Sequence, residues 1–274
     1  MKTGIFNWFG YVMPVEERLR LIKEANFDNV MLWWEDESYP QFKDKKYFVS
    51  LAKQLGLEVD NIHLPYDDCN LIWSDTVSDR ERYVNEVLKW LVDCKASGAD
   101  KVVMHTNRGN ISSVSNGYAV DFINGYKSFE KIVFLAEDIK IKVAIENTKK
   151  FKYTDFILTE FTSDYLGFCY DSSHDFINGE SKGEILAKWK NRLFCVHLSD
   201  NDGLDDRHWL PTKGIVDFKS IVDIIKNTSC DSLSMEVYPS KDEKHLTPIE
   251  FLKLAYNINN NLVEHSRPTS TLNT

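Results

Sequence analysis

The sequence predicts a single-domain (β/α)8 barrel of the TIM type, and three observations carry that expectation. Short β-branched or aromatic runs alternate eight times with longer stretches of helical apolar spacing. The 274-residue length holds eight such units in about 260 residues and leaves a short tail. The first strand-to-helix turn, GIFNWFG, lacks the GxGxxG pattern that a doubly wound dinucleotide fold wants.

Strands are expected at 3–8, 28–34, 57–63, 100–105, 142–146, 166–171, 193–198 and 232–237. The first helix runs over 14–25, opening on Pro14 with Glu16 and Glu17 in its first turn. Further helices are expected at 41–55, 79–97, 119–138, 154–162, 183–190, 217–227 and 248–261. The 79–97 helix shows one apolar stripe of Tyr83, Val84, Val87, Leu88, Leu91 and Val92. In 119–138 the stripe is Phe122, Tyr126, Phe129, Ile132, Val133 and Ala136. Gly56 and Gly98 stand where left-handed C-caps belong. The barrel is therefore expected over 1–263, with a polar tail over 264–274.

Composition excludes several classes. Hydrophobic residues are 43% and charged residues 27%, values of a globular chain rather than a collagenous or disordered one. No apolar run approaches the roughly 18 residues of a membrane span, so no membrane role is expected. Cys69, Cys94, Cys169, Cys195 and Cys230 are odd in number and lack CxxC pairing, which points to free thiols and a cytoplasmic location. The 33 basic and 42 acidic residues give a net charge of −9, which works against a polyanionic partner without removing a local nucleic-acid contact.

Ionisable residues gather at the expected strand ends, where a parallel barrel keeps its active site. His63, His105, Glu146, Asp171, His197 and Glu236 end strands three to eight. His174 follows three residues after Asp171, and Asp206 and His208 lie in the loop after the seventh strand. Only His245 and His265 of the seven histidines fall elsewhere. Converging carboxylates must be paired or bound to metal, because desolvating a lone charge is prohibitive. Four carboxylates and five imidazoles make a ligand set for a divalent metal such as Zn, Mn or Fe, in one to three ions.

Trp8, Trp209 and one of Trp33 and Trp34 are candidate walls for a small polar ring, since strand alternation sends only one of the neighbours inward. Trp34 is the candidate of that pair. Arg108 and Lys213 are candidate anion or hydroxyl contacts. Lys149, Lys150 and Lys152 are basic residues near the mouth but form no extended stripe.

The motifs VAIENT, CYDSSHDFINGE, VHLSDNDGLDDRHWLPTKG and MEVYP resemble, in order and spacing, those of the xylose-isomerase-like TIM-barrel superfamily. That superfamily holds sugar isomerases, ketose 3-epimerases, dehydratases and endonuclease IV. The likeness to endonuclease IV implies three ions, the first held by His63, His105 and Glu146. Glu146 would bridge to a second with Asp171, His197 and Glu236, and His174, Asp206 and His208 would hold the third. The epimerase branch implies one ion on Glu146, Asp171, His197 and Glu236, with His174 facing substrate. That branch carries Glu and Arg where Lys152 and Gly203 stand here.

The resulting expectation is a metal-dependent isomerase or epimerase of a sugar, polyol or related small keto compound. Glu146 and Glu236 would move a proton between adjacent carbons. The alternatives are a metal-dependent phosphodiester hydrolase acting on abasic-site DNA and a dehydratase. Homo-oligomer formation is compatible with the resemblance.

Overall fold

The computed structural model describes residues 1–38, 41–109 and 122–265. Eight strands alternate with helices in the order β1 (Lys2–Phe6), α1 (Val15–Glu24), β2 (Asn29–Trp33), α2 (Lys45–Gln54), β3 (Glu58–His63) and α3 (Val77–Ser97). Then come β4 (Lys101–His105), α4 (Phe122–Ile139), β5 (Lys142–Glu146), α5 (Phe151–Glu160) and β6 (Leu166–Asp171). The chain ends through α6 (Ser172–Asn178), α7 (Glu184–Trp189), β7 (Leu193–His197), α8 (Phe218–Ile225), β8 (Ser232–Met235) and α9 (Pro248–His265). All neighbouring strands pair in parallel, with β1 seated between β2 and β8. Leu198 closes the ring: its N–H donates to the Ser234 carbonyl at 2.9 Å, and its own carbonyl accepts from Glu236 N–H at 3.1 Å.

Each predicted strand has its counterpart. Residues 119–121 of the fourth predicted helix and 266–274 of the tail lie outside the described residues. Glu264 and His265, predicted to begin the tail, instead complete α9. The helix α6 was not expected. Asp171 nucleates it as an N-cap, its Oδ1 accepting from His174 N–H at 2.6 Å.

Period-two alternation stacks the barrel interior in layers. Lys101, Val103 and His105 step upward along β4, and Gly167, Cys169 and Asp171 do so along β6. At the bottom, Lys101 Nζ donates to Asp60 Oδ1 at 2.9 Å and to the Phe194 carbonyl at 2.7 Å. The middle layer is apolar and small: Val103, Ala144, Cys169 and Cys195 form a cluster separate from the main core. All five cysteines are free and buried. The ionisable residues form the top layer. The larger core lies between the strands and their helices, where β-branched and aromatic side chains of both meet.

Burial alone would raise the Asp60 pKa, but the Lys101 ammonium outweighs it and holds that carboxyl below its usual value. Replacing Lys101 by Met would leave a buried carboxylate unpaired. Urea unfolding at pH 7 should show Lys101→Met losing about 3–5 kcal/mol. In the wild type the Asp60 contribution should be complete above about pH 3.9 and fade as pH falls through the lower folded-state value.

Candidate metal centre

The site is assembled around one carboxylate. Glu146 ends β5, is 1% exposed, and receives imidazoles from four directions. Its Oε2 lies 3.3 Å from His63 Nε2, His105 Nε2 and His197 Nδ1, and its Oε1 lies 3.0 Å from His174 Nδ1. His63 Nε2 and His105 Nε2 are themselves 3.2 Å apart. His197 Nδ1 also lies 3.3 Å from Glu236 Oε2. On the outer side, Asp206 Oδ2 sits 3.2 Å from both His174 Nε2 and His208 Nε2. The structure thus brings all nine candidate ligands into one contiguous cluster.

The backbone beneath this cluster is tightly tied. Asn147 exchanges two 2.8 Å hydrogen bonds with the main chain of Asp171, locking the ends of β5 and β6 together. The Asp200 carboxylate accepts from the N–H groups of Asn201, Gly214 and Val216, which shapes the loop that carries Asp206 and His208. His208 adopts a positive φ of 49°, a strained conformation for a non-glycine residue of the kind found at functional sites. Its Nδ1 lies 3.1 Å from the Glu236 carbonyl, which fixes the ring so that Nε2 faces Asp206.

Several polar atoms here are buried without a hydrogen-bond partner: Glu146 Oε2, Asp171 Oδ2, His174 Nδ1 and both ring nitrogens of His197. Buried polar groups are ordinarily satisfied, so a cluster of orphans aimed at common points marks a missing partner. Among the described residues, three groups can hold a metal ion: His63, Glu146 and His197; Glu146, Asp171 and His174; and Asp171, His197 and Glu236. Zinc bound at about 2.0 Å in a tetrahedron separates its donors by roughly 3.3 Å. The 3.2–3.3 Å spacing of His63, His105 and Glu146 fits that requirement. The oxygen and imidazole donors also suit Mn or Fe.

Electrostatics tell the same story. Burial would push Glu146 up, yet the surrounding imidazoles of His105, His174 and His197 hold it well below the usual carboxylate range. For His197, burial acts downward, and the Glu146 and Glu236 carboxylates override it to reach about 10. His208 behaves alike against Asp206 and is pushed up to about 9. Asp171 moves the other way, to about 7, because burial dominates and the neighbouring carboxylates add to it. The raised imidazoles of His174, His197 and His208 thus offset carboxylate charge within the cluster, a task that divalent ions can take over, whereas burial lowers His105.

Two cavities flank the cluster. One, of about 330 Å³, is walled by Trp8, Trp33, Tyr66 and Tyr238 and bordered by Glu236 and His208. The other, of about 300 Å³, is bordered by His105, His174 and Asp206 and rimmed by Arg108 and Lys149. Trp8 and Arg108 thus stand at the mouth. Arg108 ion-pairs with Asp67 and lies 5.4 Å from the Tyr66 ring centroid.

Trp34 does not reach the mouth. It is 1% exposed and shares the outward face of β2 with Val30 and Leu32, with Lys45 Nζ 5.8 Å from its ring. Trp33 is the inward neighbour, stacked on His63 at 5.0 Å. Trp209 and Lys213 border neither cavity. The Trp209 backbone exchanges hydrogen bonds with Asp200 at 2.8 and 2.9 Å, and Lys213 ion-pairs with Glu243 at 2.7 Å. Lys149, Lys150 and Lys152 line a separate cavity among Asp155, Glu180 and Glu184, so their charge is interleaved with acids. Among the described residues, no helix is long and apolar enough to cross a membrane.

Sequence reasoning missed Tyr66, which stacks on His105 at 4.3 Å and sits in the same NIHLPY motif as His63. It also missed Asn7, Arg18, Glu37 and Tyr238 around the first cavity. Arg18 left a signal: it occupies an apolar-stripe position of α1 beside Val15, Leu19 and Ile22.

A family model for the xylose isomerase-like TIM barrel matches residues 19–254. The chain belongs to that family. An uncharacterized protein of Methanocaldococcus jannaschii is 27% identical over 251 residues, covering 85% of this chain and 82% of its own. An uncharacterized protein of Sinorhizobium fredii is 29% identical over 153 residues, which span 53% of this chain and 49% of that relative. Among solved structures, a D-tagatose 3-epimerase-like protein superposes with a TM-score of 0.72 at 24% identity, covering 96% of this chain and all of its own (100%). An IolI protein with a bound zinc atom superposes with a TM-score of 0.74 at 16% identity, covering 98% and 100%. At these identities the structural likeness establishes the shared barrel.

The ligand set predicts its own disruption. Elemental analysis of protein purified without chelator should find at least one transition-metal equivalent per chain, and Glu146→Gln should lower that content severalfold. Metal at a hundred times its dissociation constant should stabilise the wild type by about 2.7 kcal/mol, read as a melting shift reversed by chelator.

Proposed function

We propose that this protein is a metal-dependent isomerase or epimerase of a sugar, polyol or related small keto compound. The observation that carries the reading is the position of Glu236. Its carboxylate lies against His197 on one side and borders the aromatic-walled cavity on the other. A cavity of about 330 Å³ with tryptophan and tyrosine walls suits a monosaccharide, whose ring stacks on aromatics while its hydroxyls meet the polar groups.

Glu146, Asp171, His197 and Glu236 would hold one divalent ion, leaving the four-residue site with a single net negative charge. The ion would supply Lewis-acid stabilisation of the oxyanion that develops when a proton leaves the carbon beside a carbonyl. Glu236 is the group placed to move that proton between adjacent carbons in an isomerisation, since it touches both the cluster and the cavity. Inversion at one carbon would need a second group on the opposite face, the part Glu146 would take. Glu146, enclosed by imidazoles, serves mainly to orient the ligands, and its share in proton transfer would run through that cluster. The sugar epimerases among the structural neighbours agree with this reading.

One observation favours a second reading. Nine candidate ligands are more than one ion needs, and His174, Asp206 and His208 form their own 3.2 Å group. Three divalent ions against four carboxylates give a site with two net positive charges, suited to phosphodiester hydrolysis. The two readings separate in a paired assay. A panel of ketoses and aldoses should be interconverted by the metal-loaded enzyme, and Glu236→Gln should lower kcat by about a hundredfold or more. Nicking of abasic-site DNA that disappears in Glu146→Gln, without sugar turnover, would select the hydrolase instead.

A further inference from the structure

The two cavities beside the metal cluster meet at Tyr66, which borders both, and they differ in charge. Among the described residues the aromatic one has Arg18 as its single lysine or arginine, and Glu37 pairs with it. The polar one has two, Arg108 and Lys149, on the loops after β4 and β5. Its carboxylates are already engaged. Asp206 stands between His174 and His208, and Asp205 Oδ2 lies 3.3 Å from Arg207 Nη1. Lys149 makes no ion pair or hydrogen bond among the described residues. Arg108 pairs with Asp67, but those side chains are 55% and 81% exposed, and a pair so open to water is weak and exchanges readily for another anion.

Both cations stand on anchored backbone. Asn70 Oδ1 accepts from Arg108 N–H at 2.8 Å, and Asn70 Nδ2 donates to the Arg108 carbonyl at 2.9 Å. The Tyr66 ring holds the guanidinium, 5.4 Å from its centroid. Asn107, 0% exposed, ties the second loop to the first. With both atoms of its amide satisfied, it donates to Thr148 Oγ1 at 2.8 Å and exchanges 3.3 Å hydrogen bonds with the Lys150 backbone. The residues on either side of Lys149 are thereby fixed to the residue before Arg108.

We propose that the polar cavity is an anion subsite, in which Arg108 and Lys149 seat a carboxylate or phosphate carried by the substrate while its uncharged sugar portion lies in the aromatic cavity. The proposal rests on the sugar reading of the neighbouring cavity and makes the preferred substrate an anionic sugar derivative. A guanidinium offers several N–H donors in a fixed fork and an ammonium a compact charge, which together match the oxygens of either anion. Holding the two cations in place before the ligand arrives lowers the ordering cost of binding. The metal cluster lies between the two cavities, so a ligand anchored in both presents its middle carbons to the ion and to Glu236. Free sugars lack the second anchor and are turned over with a higher KM.

Isothermal titration calorimetry of the metal-loaded protein tests this with D-fructose, D-fructose 6-phosphate and D-fructuronate, which share a ketose skeleton and differ at the terminal carbon. One or both anions should bind the wild type about tenfold or more tightly than D-fructose, and the tighter of the two identifies phosphate or carboxylate as the seated group. Lys149→Gln and Arg108→Gln should each cut that preference by about fivefold or more, whereas Lys149→Arg keeps most of it. Lys150→Gln, whose side chain lines the separate cavity between α5 and α7, should leave the preference unchanged. Circular dichroism checks that each variant is folded. An anion that merely ligated the metal would keep its preference in both Gln variants, which would overturn the proposal. So would anions that bind no more tightly than D-fructose, a preference lost equally in Lys150→Gln, or no binding of any of the three. Interconversion of D-fructose without an anion preference sinks this inference alone. The expected preference and its loss in the variants, without turnover of any sugar, sinks the isomerase reading alone.

Discussion

A carboxylate buried at the centre of four imidazoles is the constraint on which the rest of this molecule depends. Removing Glu146 from water costs several kcal/mol unless opposite charge is brought to it. Three strands and α6 converge on it through His63, His105, His197 and His174, and the raised imidazoles of His174 and His197 bring the opposite charge. Each of those histidines then needs its own restraint. His63 Nδ1 lies 2.9 Å from the Leu64 carbonyl, His105 stacks on Tyr66, and His174 leans on Asp206. The requirement propagates outward until it reaches rigid backbone at Asn147 and Asp200. A mouth so tied is preorganised, which keeps the reorganisation cost of binding small.

The scaffold meets that demand through strand periodicity and small residues. A two-residue step along a parallel strand raises the inward side chain by one layer. The interior therefore passes from the Lys101–Asp60 pair, through Ala144 and the cysteines, to the ionisable ring. Close approaches are reserved for glycine. At Gly10, with φ of 87°, a Cβ would come within 2.8 Å of Pro239 Cδ, so only glycine lets the β1 loop lie against the chain after β8. That contact brings Trp8 and Tyr238 to one cavity.

The same periodicity explains what could be read in advance. Ligands ending in-register strands announce themselves because a charged residue after an apolar run has few other reasons to be there, as in VVMH and VAIE. The strands themselves were legible from their β-branched runs. The neighbours Trp33 and Trp34 were harder, because β2 is apolar on both faces and its sequence NVMLWW carries no polar alternation to set the phase. The helix α6 escaped notice since its seven residues are too few for a helical stripe, and it forms around the Asp171 cap. Arg18 reads as surface charge until its place in the apolar stripe of α1 is weighed. Side chains that reach a site from a helix face leave no strand-end mark.

Charge location also reorders the meaning of the acidic composition. Three of the carboxylates counted in the net −9, Glu146, Asp171 and Asp206, sit opposite imidazoles and add little field at the mouth. What a substrate meets instead is local: Glu37 and Glu236 around the aromatic cavity, and Arg108 and Lys149 around the polar one. A polyanion approaching the aromatic cavity faces carboxylates at short range, where salt screens least. Its natural approach is the polar cavity, beside the outer group of His174, Asp206 and His208. The two proposed chemistries thus occupy different sides of one cluster, and Glu146, common to both, is the residue least able to distinguish them. The discriminating residues are those at the edges, Glu236 on one side and Asp206 on the other, because each belongs to a cavity the other does not line.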